Sequence, residues 1–180
     1  MTDDSRLFLA FPAAELVEPL SRLQTQLQTQ LRQPGRRLAA SQFHLTLRFL
    51  GQLNATQYHS LLRQLPTLSL PSFSLALDQL GYFPGANVLW LGPSQVPSAL
   101  SDLYQDLLRR CASLRLAPPH KAYRPHISLY RQTELLDVAK LPSISPIEYR
   151  PRQLALYRSV PSAVGSNYHI EASWPLLEPA

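Results

Sequence analysis

The segment His44-Leu-Thr-Leu47 recurs as His126-Ile-Ser-Leu129, and both copies alternate polar and apolar residues. Alternation of period two marks a strand with one face on a core and the other free. In the first copy Phe43, Leu45, Leu47 and Phe49 fall on one face, and His44, Thr46 and Arg48 on the other. In the second, Ile127 and Leu129 oppose His126, Ser128 and Tyr130. A lone histidine on a strand is most often a surface group or a satisfied core group. Two copies with matching apolar neighbours are not expected by chance in one chain of this size. Each copy also follows a comparable series of strand and helix. The recurrence therefore predicts two halves related by a pseudo-two-fold, with the histidines facing each other.

The rest of the chain reads as mixed elements. Arg6 to Phe11 is an opening strand ended by Pro12. Leu16, Leu20, Leu23, Leu27 and Leu31 form one helical stripe, with Pro19 marking a start or bend and Pro34-Gly35 the stop. Thr56 to Leu65 and Ala99 to Leu114 are further helices; Phe73 to Leu77 and Asn87 to Leu91 are strands, with a turn at Tyr82 to Gly85. Strands follow around His126, from Gln153 to Arg158, and from Tyr168 to Ser173. The order lacks the strict alternation of a doubly wound fold, so the fold class is α+β.

A chain of 180 residues suits one domain, residues 1–180, large enough to bury a core without staples. The apolar run from Leu7 to Ala14 is too short and wrongly flanked for a signal peptide, and no stretch reaches the roughly 20 residues of a membrane span. The expectation is a soluble, cytoplasmic protein with no membrane association and no obligate protein partner. Cys111 is the only cysteine, which rules out an intrachain disulfide and a CxxC zinc site and leaves it to act as a small buried hydrophobe. The net charge of +5 favours polyanions such as RNA. No GxGxxG or GxxxxGK[ST] motif is present among the 6 glycines, so dinucleotide and P-loop chemistry lack their signatures.

Two facing imidazoles suit in-line displacement at phosphorus. One removes a proton from the attacking group and the other protonates the leaving oxygen, each transfer typically contributing about 10² to 10⁴ in rate. Thr46 and Ser128, two residues beyond each histidine, point the same way and can donate to non-bridging phosphate oxygens. Neither motif holds Asp or Glu, and two histidines make an incomplete metal site, so no metal and no cofactor are expected.

At His44-Leu-Thr-Leu-Arg-Phe-Leu-Gly51 and Arg124-Pro-His-Ile-Ser-Leu-Tyr-Arg131 the chain resembles the 2H phosphoesterases, and among them the RNA 2′,3′-cyclic phosphodiesterases once called 2′-5′ RNA ligases. Arg6 to Phe11 resembles their opening strand, and Leu154 to Ser159 with Tyr168 to Leu177 their last hairpin. The resemblance implies two pseudo-symmetric lobes of antiparallel sheet with outer helices around a central cleft. It implies opening of an RNA terminal 2′,3′-cyclic phosphate to a 2′-phosphomonoester. His44 and His126 are then the acid/base pair, with Thr46 and Ser128 as phosphate ligands; which histidine is the acid stays open, and His44 as acid toward O3′ is the favoured reading. Arg131 matches an arginine that ends the second motif in many members and is a further phosphate ligand, although strand parity sets it opposite His126 unless the strand bulges. Arg48, Phe8, Phe11 and Tyr130 are candidates for contact with the RNA backbone or a terminal base. His59, His120 and His169 lack the motif and read as surface residues. The same scaffold and histidines would also serve 2′-5′ ligation of tRNA halves, hydrolysis of small cyclic esters such as ADP-ribose cyclic phosphate, or a silent RNA-binding module. Retention of both histidines and both hydroxyls argues against the last.

Overall fold

In a computed structural model, residues 6–119, 122–134, 137–162 and 165–177 are described. Strands are β1 (Arg6–Pro12), β2 (Arg36–Arg37), β3 (His44–Gly51), β4 (Leu75–Leu77), β5 (Gln79–Phe83), β6 (Val88–Gly92), β7 (Ile127–Arg131), β8 (Ile147–Tyr149), β9 (Gln153–Ser162) and β10 (Gly165–Pro175). Helices are α1 (Val17–Gln30), α2 (Ala55–Gln64) and α3 (Ser98–Ser113). The main sheet runs β10-β9-β1-β3-β7-β6-β5, with β2 added on β7, and its strand pairs are antiparallel; β4 and β8 form a separate pair. The α+β class and the antiparallel sheet agree with the sequence reading. β2, β5 and β8 were not expected.

The helices form where the leucine stripes are. Leu20, Leu23 and Leu27 of α1, Leu61 of α2, and Leu100, Leu103 and Leu107 of α3 are buried in one cluster with Leu7, Leu9, Leu45, Leu47, Ile127 and Leu129 of the sheet. Each such leucine contributes roughly 2 kcal/mol by leaving water. Pro19 sits within the first turn of α1, where its missing N–H costs nothing. Cys111 is part of the same core, and burial raises its thiol pKa. The opposite face of the sheet carries a small second cluster, Phe8, Ala10, Ala155 and Tyr157. No described helix is long and apolar enough to cross a membrane.

The two halves of the sheet meet at a narrow seam. There β3 and β7 pair through Leu45 opposite Ile127, both fully buried toward the helices. Continuing that antiparallel register by one residue each way sets His44 beside Ser128 and Thr46 beside His126 on the free face. Directly opposed residues have Cβ atoms about 4.5–5.5 Å apart.

Candidate active site

Both histidine strands carry the same irregularity. Leu9 pairs with Arg48 and Ala10 with Thr46, so Leu47 is an extra residue in β3. Leu89 pairs with Tyr130 and Trp90 with Ser128, so Leu129 is extra in β7. A bulge shifts the facing of every later side chain. In both motifs the fourth residue after histidine therefore turns toward the core and the fifth toward the free face. The β7 bulge is held by its carbonyl, which accepts from the Leu38 N–H (3.0 Å) and from Nε2 of the buried Gln24 (2.8 Å).

Each imidazole is fixed in one tautomer. Nδ1 of His44 lies 2.8 Å from the Gln42 carbonyl and Nδ1 of His126 lies 2.7 Å from the Arg124 carbonyl. A carbonyl only accepts, so each Nδ1 bears the hydrogen and each Nε2 keeps its lone pair for chemistry. Burial lowers the His44 pKa to about 4; the bond to Gln42 opposes this, and the charges of His126 and Arg131 push it down further. The His126 pKa is lowered as well, first by burial and then by Arg124 and Arg131, against the bond to Arg124. Each histidine thus senses the Arg131 charge, and His44 senses His126. Both are neutral near pH 7 in the unliganded protein.

The ring settings differ. His44 lies against Phe8 (5.0 Å between centroids) and edge-on to Tyr168 (5.2 Å), with Tyr157 stacked on Phe8. His126 meets Phe83 edge-on (4.9 Å) and Trp90 (6.0 Å), over which the Arg124 guanidinium sits. The Trp90 indole lies flat across Gly81: a Cβ there would come within 2.0 Å of Cζ2, so only glycine fits. Among the described residues, the Thr46 and Ser128 hydroxyls form no hydrogen bond within the protein. No group of three or more His, Cys, Asp or Glu is arranged to hold a metal among them. The array is two basic nitrogens, two free hydroxyls and one guanidinium around a seam, a set suited to an oxyanion.

A family model described as LigT like Phosphoesterase matches residues 11–90. The chain is 29% identical over 148 residues to the RNA 2′,3′-cyclic phosphodiesterase of Escherichia coli (strain K12), covering 80% of this chain and 81% of that one. It is 26% identical over 101 residues to a protein of the same name from Aeropyrum pernix, covering 54% and 57% of the two. Against the crystal structure of E. coli LigT complexed with 3′-AMP the TM-score is 0.83, at 27% identity over 97% of this chain and 99% of the other. The chain is thus similar to LigT-like phosphoesterases over residues 11–90 and to LigT in fold over nearly its whole length.

In this chain three of the expected contact residues lie elsewhere. Arg48, expected beside His44, is turned inward by the Leu47 bulge; it is 7% exposed and donates to the Ala117 carbonyl. Tyr130, expected beside His126, is likewise turned inward by the Leu129 bulge, fully buried, with its hydroxyl donating to the Gln24 carbonyl. Phe11 is fully buried in the main core, edge-on to Phe73. None of the three can meet RNA from these positions. Phe8 does lie on the free face, but at 2% exposure it backs His44 and Tyr157 and has no open side on which a base could stack. Phe49, expected in the core, is on the free face and 66% exposed, its ring 5.7 Å from Phe8. Arg131 is returned to the free face by the same bulge that removes Tyr130. His59 and His169 are exposed, while His120 lies outside the described residues. The walls formed by Phe83, Trp90, Tyr157 and Tyr168 went unread in the sequence. Trp90 between Leu89 and Leu91 and Tyr157 beyond Leu156 carried the signal, since both alternate with core leucines.

Proposed function

We propose that this protein hydrolyses the terminal 2′,3′-cyclic phosphate of RNA to a 2′-phosphomonoester. The observation that carries the reading is the pair of Nε2 atoms left free by identical Nδ1 bonds to backbone carbonyls, next to two uncommitted hydroxyls. His126 Nε2 takes a proton from water as its oxygen attacks phosphorus. The P–O3′ bond breaks on the opposite side, and His44 Nε2–H protonates O3′. The negative charge on the non-bridging oxygens is met by Thr46, Ser128 and Arg131, without metal. The bound phosphate anion offsets the depressed histidine pKa values, so that one imidazole is protonated when substrate is present. RNA as the substrate class rests on the names of the relatives and agrees with the net charge of +5. The chain acts as one unit, because the two motifs supply complementary halves of one reaction.

The test is an RNA oligonucleotide ending in a 2′,3′-cyclic phosphate, incubated with the pure protein and EDTA, with the products resolved from 2′- and 3′-monophosphate standards. The expected product is the 2′-phosphate alone. Loss of the cyclic end only when a divalent metal is added, a 3′-phosphate product, or no reaction would overturn the proposal.

A further inference from the structure

The end of α1 is built to bring a second arginine to Arg131. Gly35, at a φ of +94°, packs so tightly on β7 that a Cβ would lie 2.4 Å from the Arg131 carbonyl. Thr133 Oγ1 donates to the Pro34 carbonyl at 2.7 Å, fixing the turn. β2 then pairs with β7 so that Arg36 is directly opposite Arg131 and Arg37 opposite Tyr130. Arg37 donates to Gln24 Oε1 (2.7 Å) and to the Ser21 carbonyl (2.9 Å) of α1, and Tyr130 also reaches α1. Successive residues of a strand face opposite ways, so Arg36 and Arg131 share the free face, the face of the two histidines.

Like charges directly opposed across a strand pair are destabilising. Yet neither guanidinium has a hydrogen bond or ion pair among the described residues. Both border an open polar cavity of about 740 Å³. Its far wall is rigid: Tyr82 donates to Asn87 Oδ1 (2.8 Å) and to the Thr133 carbonyl (3.2 Å). Two forks of uncommitted donors facing a preformed cavity are a receptor for a phosphate group. The reacting phosphate already has Thr46, Ser128 and Arg131, and the cavity extends from Arg131 away from them.

We infer that Arg36, together with Arg131, binds the phosphodiester on the 5′ side of the terminal nucleotide, making this protein selective for an oligonucleotide end over a cyclic mononucleotide. The inference rests on the proposed hydrolysis of 2′,3′-cyclic ends. Its test compares kcat/KM for a trinucleotide and a mononucleotide, each with a 2′,3′-cyclic phosphate. The trinucleotide is preferred at least tenfold by the wild type, and Arg36→Gln lowers that ratio roughly tenfold, through KM, as loss of a charge-assisted bond predicts. Arg36→Lys retains part of it. A neutral methylphosphonate at the last internucleotide linkage lowers the wild-type ratio by the same factor, and combining it with Arg36→Gln lowers it no further. An unchanged ratio in Arg36→Gln, or full additivity of the two changes, overturns the inference. A wild type that opens both esters equally well overturns it alone, whereas one that opens neither overturns the proposed function as well.

Discussion

The strands that carry His44 and His126 share a pattern, a bulge and an Nδ1 bond, and then part company at the fourth and fifth residues. After His44 these are Arg48, turned inward, and Phe49, on the free face; after His126 they are Tyr130, turned inward, and Arg131, on the free face. The symmetric part supplies two equivalent nitrogens and two hydroxyls, enough for a displacement but without direction. The asymmetric part supplies direction: one side of the seam is apolar, with Phe8, Phe49, Tyr157 and Tyr168, and the other is cationic, with Arg131 and Arg124. That distribution of charge favours an anion held off-centre, toward the His126 side. A duplicated motif becomes a polar enzyme site through the residues that differ.

The largest test removes what is shared. His44→Ala and His126→Ala should each lower kcat at least roughly 10³-fold, with circular dichroism unchanged because neither ring lies in the main core. A substrate with sulfur in place of O3′ then separates them, since a thiolate leaves without a proton. His44→Ala should regain activity on it and His126→Ala should not. Equal rescue of both would mean that the two sides do not have distinct roles.

The next test removes the difference. Arg131→Gln should lower kcat/KM about 100-fold, whereas Phe49→Ala should cost a few-fold at most. Arg131 also holds both histidine pKa values down, so wild-type kcat/KM should peak on the acid side of 6.5. Without that charge both pKa values rise, and the pH profile of Arg131→Gln should move upward. A profile that stays in place would leave burial, with the charges of His126 and Arg124, as the cause.

The histidine pair was legible because it depends on local sequence: His, hydroxyl and alternating apolar residues recur in two places. The facing of Arg48, Phe49, Tyr130 and Arg131 was not, because Phe43 to Phe49 alternates without a break and the extra residue at Leu47 is set by pairing with β1. The second bulge likewise depends on bonds from Gln24 and Leu38, more than 90 residues upstream. β5 was hidden by Gly81, which reads as a breaker but is required by the Trp90 ring. β2 has two residues, too few for any period.

The smallest effect is expected at the hydroxyls. Thr46→Val and Ser128→Ala each delete one donor to the phosphate and should lower kcat/KM roughly tenfold, near the lower end for a bond to a charged acceptor. Thr46→Ser should be close to wild type, since the donor remains and only a methyl is lost. The seam register puts Ser128 beside His44 and Thr46 beside His126, so each hydroxyl lies next to the other strand's histidine. If the anion sits toward Arg131, the two losses are unequal: the hydroxyl nearer the cationic side, Ser128, which shares β7 with Arg131, should matter more. Equal losses would instead centre the phosphate on the pseudo-two-fold and leave Arg131 to act on the histidines alone.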